Sequence, residues 1–145
     1  MLLFASASVA YLLGMQQGMI HTDYLSQYQI ALHAAQGRLE QLAATDFDTL
    51  WTGAAFAAAQ AGQQQEPLAN LPGGMLSIQI RSADVVNPPN LLDLHVAVCW
   101  TFRNTARIGE NNGNNNCVET SGLAYPTAGW EVNSPAMVSM RVARR

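Results

Sequence analysis

Residues 1–44 read MLLFASASVAYLLGMQQGMIHTDYLSQYQIALHAAQGRLEQLAA, and this stretch decides the fold. Residues 1–20 contain no charged side chain, and about 20 apolar residues are what a helix needs to cross a bilayer. A cleaved signal peptide is the alternative. However, no basic segment precedes the apolar run, and the run continues into a second helical pattern without a break. We therefore predict that residues 1–20 form the apolar first half of one long helix.

The second half of this helix is predicted to be apolar on one side only. From His21 to about Ala44, apolar residues recur at intervals of three and four, which places them on a single helical face. These residues are Leu25, Tyr28, Leu32, Ala35, Leu39 and Leu42. The two halves together predict a helix of about 44 residues, near 65 Å long at about 1.5 Å per residue.

Small residues recur at every fourth position in the apolar half: Ser6, Ala10, Gly14 and Gly18. Such a stripe lets the backbones of two helices approach closely where no hydrophobic effect drives them together. The alternative is that these are ordinary small residues in a single-pass membrane anchor. We interpret the stripe as a surface for packing against other helices.

Three segments are predicted to be strands: Met75–Arg81, Leu91–Arg103 and Ala136–Ala143. The second alternates most clearly, with Leu92, Leu94, Val96, Val98, Trp100 and Phe102 on one face and mostly polar residues opposite, as in a half-buried strand. Residues 49–70 are predicted to be a loose connection with a short helix over Ala54–Gln60. The expected fold is α+β: the C-terminal half of the helix covers a small antiparallel sheet, which makes residues 21–145 a head and leaves residues 1–20 without a partner.

The net charge argues against a nucleic-acid-binding protein, and the lack of a residue cluster with catalytic or metal-ligand spacing argues against an enzyme. Only 12% of residues are charged, about half the usual share in a soluble domain, and the net charge is -3. His21, His33 and His95 are expected to be exposed, because no cluster has metal-ligand spacing. Asp46 and Asp48 are explained by a turn that ends the helix. We predict no catalytic site, no metal and no cofactor.

Two cysteines, Cys99 and Cys117, are the only possible pair within the chain. A disulfide between them would close a loop whose constraint on the unfolded chain is worth about 3 kcal/mol on the entropic model. It would also indicate an oxidising compartment, such as a periplasm or the cell exterior. Two free thiols in a reduced cytosol are the alternative. We favour the disulfide, because neither a CxxC spacing nor a neighbouring histidine indicates redox or metal chemistry.

Three segments, in this order, resemble one family. Residues 31–48 (ALHAAQGRLEQLAATDFD) resemble the end of the long helix in minor pilins and pseudopilins of type IV pili and type II secretion. Residues 96–100 (VAVCW), with the basic Arg103 after them, resemble the central strand of the type IV pilus modification group of minor pilins. Residues 133–144 (NSPAMVSMRVAR) resemble the last strand of that group.

The resemblance implies a structural filament subunit with a pilin-like fold. It implies other pilin or pseudopilin subunits and an inner-membrane assembly machinery as partners. It also implies a single-pass protein of the inner membrane whose head lies in the periplasm, and after assembly a periplasmic or cell-surface filament. The family's processed first residue and nearby glutamate have no match in residues 1–5, MLLFA, so we expect the sequence to begin inside the family's helix.

Two other readings stay open. The first is a monomeric, membrane-tethered binding domain that uses the Asn-rich loop of residues 111–116 and exposed tryptophans for adhesion. The second is a small secreted enzyme behind an uncleaved anchor.

Overall fold

A single uninterrupted helix, α1, spans Leu2–Ala43 in the computed structural model, which describes residues 2–60, 64–84, 88–103, 106–109 and 136–144. Within α1 the side chains are described from Gly14 onward. The segment contains no proline, so every backbone N–H beyond the first turn is available for the helical ladder. The long helix predicted over residues 1–44 is confirmed.

The turn after α1 begins a second helix. Thr45 donates its backbone N–H to the Leu42 carbonyl, which closes the last turn of α1. Asp46 then caps the next helix, because its carboxylate accepts the backbone N–H of Thr49 at 3.2 Å. Asp46 therefore acts as the start signal of a new helix as well as part of the turn that ends α1.

In the described part of the chain, two short helices, a 3₁₀ turn and five strands follow α1. Their bounds are α2 Phe47–Thr52, the 3₁₀ turn Ala54–Phe56, α3 Ala57–Gln60, β1 Gln64–Leu68, β2 Gly74–Ser82, β3 Leu91–Phe102, β4 Ala106–Ile108 and β5 Ala136–Ala143. The strands pair in the order β1-β2-β3, β5 also pairs with β3, and β4 pairs with the last three residues of β3. All pairs are antiparallel, so the α+β class is confirmed.

The sheet and the second half of α1 share one core, centred on β3. Leu92, Leu94, Val96, Val98 and Trp100 are all fully buried, and Phe102 is half-buried. Ala35, Leu39 and Leu42 of α1 belong to the same buried cluster, so the C-terminal half of the helix lies on this face of the sheet. We call the sheet, α2, α3 and the part of α1 from Tyr24 to Ala43 the head, and the part of α1 before Tyr24 the arm.

The helix face that meets the sheet differs from the predicted one at two of six positions. Leu25 is 56% exposed, and Leu32 lies outside the buried cluster. Tyr24 and Ala31 take their places, so that the packed residues on α1 run Tyr24, Tyr28, Ala31, Ala35, Leu39 and Leu42. The physical reason is rotational: Leu25 and Leu32 lie on the flank of the stripe, and the sheet contacts its centre.

Two predictions about the strands are wrong. The middle of β3 is buried on both faces, because Ala97 and Cys99 are as inaccessible as the residues that point to α1. The segment predicted to be a loose connection contains β1, whose Glu66 pairs with Leu76 of β2 in the register of the sheet. β1 is Gln-rich and contains Pro67, which suits a strand with only one neighbour in the pairing order.

Candidate assembly surface

The arm presents apolar surface to solvent. All side chains described in the arm, from Gly14 to Asp23, are exposed. Met15, Met19 and Ile20 are among them, and Met19 is 60% exposed. Residues 14–20 contain no charged side chain. Fully burying an exposed side chain of this size is worth about 1.5–3 kcal/mol, and these three side chains leave a substantial part of that surface in contact with solvent in the single chain.

Gly14 and Gly18 lie one turn apart on the arm with open space beside both. A Cβ atom built on either glycine would have no atom within 4 Å outside the local helix backbone. The helix backbone is thus accessible at these positions, as close helix–helix packing requires. Ser6 and Ala10 lie on the same helix, but their side chains are outside the described part, so their place in the stripe stays a prediction.

The arm joins the head at a group of five residues that we call the junction: Asp23, Tyr24, Trp100, Phe102 and Arg103. The Tyr24 ring lies 6.2 Å from the Trp100 ring at a tilt of 37°, and 5.7 Å from the Phe102 ring in an edge-to-face contact of 84°. The Arg103 guanidinium lies 5.6 Å from the centre of the Phe102 ring and donates a hydrogen bond of 3.1 Å to Asp23. Sequence reasoning placed Trp100 in the core but missed Tyr24. The signal was present, since Tyr24 stands four residues before Tyr28.

A second polar contact ties α1 to the edge of the sheet. Arg38 donates hydrogen bonds of 2.5 Å to Glu66 of β1 and 2.9 Å to Gln41 of α1. Arg38 and Glu66 both keep only about a third or less of their side-chain surface exposed. Only one helical face brings Arg38 to the strand, so this pair forms in only one rotation of α1.

The sheet face opposite α1 carries charged and polar side chains from three neighbouring strands. Arg141 donates two hydrogen bonds to Asp93, of 2.8 and 3.1 Å, and this holds the pKa of the carboxyl below its ordinary value although burial opposes the shift. Burial lowers the pKa of the neighbouring His95, and the charge of Arg81 lowers it further while Asp93 opposes. His95 is half-buried, so the expectation of an exposed side chain is wrong for this residue. His21 and His33 are exposed.

On this polar face the side-chain amide of Gln79 is buried without a hydrogen bond. Gln79 is 1% exposed, and neither its amide nitrogen nor its amide oxygen has a hydrogen-bond partner. Asp93, His95 and Arg141, together with Ser139 and Met140, line a depression of about 350 Å³. Directly after β5, Arg144 donates a hydrogen bond of 2.5 Å to the carboxylate of Asp48.

Cys99 is disulfide-bonded and fully buried. Its predicted partner, Cys117, lies outside the described residues. Within the part of the chain that is described, no three His, Cys, Asp or Glu side chains come together as a metal site would require. In the same part, no helix meets both the length and the hydropathy needed to span a membrane.

The chain matches no family model, no curated protein and no solved structure.

Proposed function

We propose that this chain is a structural subunit of a helical filament of the type IV pilin class, which assembles through its arm. One observation carries the proposal: α1 continues without a break from a half that packs on the sheet into a half whose described side chains are all exposed. The part of α1 from Tyr24 to Ala43 already covers one face of the sheet, and no described arm residue belongs to this core. The arm is therefore available to other molecules.

The proposed partner of the arm is the arm of another subunit. Moving an apolar helix from lipid into a bundle of like helices is nearly neutral in hydrophobic terms, so close packing and polar contacts must decide the exchange. Gly14 and Gly18 supply the close approach, because nothing in the head fills the space beside them. Gln16 and Gln17 add amide groups that can bond across a helix interface.

The remaining parts of the proposal concern place and partners. Before assembly the subunit is proposed to lie in the inner membrane by its arm, with the disulfide-bonded head in the periplasm. Other pilin or pseudopilin subunits and an inner-membrane assembly machinery are its proposed partners. The pilin-like character of the fold belongs to the same proposal, supported by a long N-terminal helix lying on an antiparallel sheet.

Leucine substitutions at helical glycines test the proposal with a matched control. Gly14→Leu and Gly18→Leu fill the proposed contact, whereas Gly37→Leu changes the same helix inside the head, also with no atom within 4 Å of the new Cβ. All three substitutions raise helix propensity by about 0.5–1 kcal/mol, so none weakens α1.

The readout is the amount of each variant in filaments sheared from cells that make it in place of the unmodified chain. Gly14→Leu and Gly18→Leu are expected to be lost from the filaments while their heads stay folded, and Gly37→Leu is expected to enter normally. Normal incorporation of both arm variants would refute the proposed contact. A protein that stays monomeric whatever residue stands at these positions would favour the membrane-tethered binding domain.

A further inference from the structure

We infer that the junction fixes the direction in which the arm leaves the head, so that every copy of the chain presents its arm at the same angle. The first support is position. From Gly14 to Asp23 every described side chain is exposed, and Tyr24 is the first along α1 that packs against the core. Among the described residues, the contacts of Tyr24 are therefore the last apolar ones that hold the helix to the head, and the exposed ion pair of Asp23 with Arg103 lies one residue beyond them.

The second support is the geometry of the aromatic contacts. Tyr24 meets Trp100 in a tilted arrangement and Phe102 edge to face, at centroid distances of 6.2 and 5.7 Å. Because the two rings lie at different angles to Tyr24, the two contacts together constrain the orientation of the Tyr24 ring more than either contact would alone. Aromatic pairs have preferred orientations of this kind, whereas aliphatic contacts have little directional preference.

The third support is the rigidity of the platform. Trp100 is fully buried in β3, which pairs with neighbours on both of its edges. β3 ends at Phe102, and the next residue, Arg103, has a φ of 51° in the left-handed region and begins the turn toward β4. From this turn the Arg103 guanidinium lies over the Phe102 ring and donates a hydrogen bond of 3.1 Å to Asp23. This hydrogen bond joins residues 80 positions apart on the arm side of Tyr24.

The aromatic contacts, and not the ion pair, carry this function. Arg103 and Asp23 are 46% and 60% exposed, and ion pairs with that exposure contribute little. The consequence for assembly rests on the proposed function: in a filament with one helical symmetry, each subunit must repeat the same angle between arm and head. The fixed angle itself is a property of the single chain.

The test measures distances between arm and head in the full-length chain in detergent micelles. Spin labels are attached through keto-bearing noncanonical amino acids at Met15 in the arm and at Asn70 in the turn after β1, both exposed positions, so that the disulfide is untouched. Double electron–electron resonance then gives the distance distribution for the unmodified junction, for Tyr24→Leu and for Tyr28→Leu. Leucine keeps the helix and most of the apolar burial while removing the ring.

The unmodified junction is expected to give one narrow distribution, and Tyr24→Leu a broad one. Tyr28→Leu removes a ring that packs on the same core one turn inside the head, and is expected to leave the distribution narrow. A narrow distribution for Tyr24→Leu, a broad one for the unmodified chain, or equal broadening by both substitutions would overturn the inference. A narrow unmodified distribution together with failed filament assembly would instead remove the proposed function and leave the junction standing.

Discussion

Alanine substitution of two leucines on α1 tests which helix face holds the head together. Both Leu25 and Leu42 fit the apolar spacing of the sequence, and the structure separates them. Leu42 is 1% exposed in the core between α1 and the sheet, whereas Leu25 is 56% exposed. Leucine and alanine have similar helix propensities, so the difference between the two variants reports side-chain packing alone.

The expected costs differ several-fold. Leu→Ala at a fully buried position loses the transfer free energy of the side chain and leaves a cavity, which together cost about 2–5 kcal/mol. A surface substitution such as Leu25→Ala is expected to stay within about 0.5 kcal/mol. Against a total free energy of unfolding of about 5–15 kcal/mol, only the first change is large.

Urea unfolding of the two variants, followed by circular dichroism with the disulfide intact, measures these values. Leu42→Ala is expected to lower the midpoint clearly and, in thermal scans, to lower Tm by roughly 2–4 °C for each kcal/mol lost. Leu25→Ala is expected to leave both unchanged. Equal losses from the two substitutions would refute the assignment of the packed face.

Further predictions concern single positions. Gly37→Ala is expected to raise the free energy of unfolding by about 0.5–1 kcal/mol, because α1 is helical there with open space beside it. Gly73→Ala is expected to lower the free energy of unfolding, because Gly73 has a φ of +57° and a Cβ atom there would lie 2.8 Å from the Thr101 hydroxyl. Gln79→Met is expected to raise it by about 1 kcal/mol, because the native amide is buried without hydrogen bonds. Burial lowers the pKa of His95 below its ordinary 6.5 in the folded chain, so the unfolded chain binds a proton at this site more readily. The stability that goes with a neutral His95 is therefore complete above about pH 6.5, and it is lost as the pH falls through the pKa of the folded chain. His95→Gln should flatten that part of a pH–stability curve, and a slope equal to that of the unmodified chain would contradict this.

The elements that the sequence predicted well are those with strong local patterns. The second half of the long helix follows a period of 3.6, and the strands β2, β3 and β5 follow a period of 2 over at least seven residues. The inward residues of β3 followed from alternation alone. Of the junction, the sequence placed Trp100 and Phe102 on the inward face of β3. The spacing of Tyr24 to Tyr28 indicates a shared helix face, but nothing local marks Tyr24 as a neighbour of Trp100.

The remaining features depend on contacts between distant segments. β1 has a Gln-rich sequence and exists because β2 provides a partner for it. The rotation of α1 depends on its packing against the sheet, which buries the small Ala31 completely and leaves Leu25 exposed. Burial on the second face of β3 follows from tertiary packing, which strand alternation cannot anticipate.

Helical reconstruction of filaments built from this chain tests the central claim most directly. If the arm is an assembly surface, the reconstruction will show arms packed side by side around the filament axis, with Gly14 and Gly18 against a neighbouring arm. A protein that stays a single copy in detergent under assembly conditions, or filaments whose arms do not touch one another, would contradict the claim.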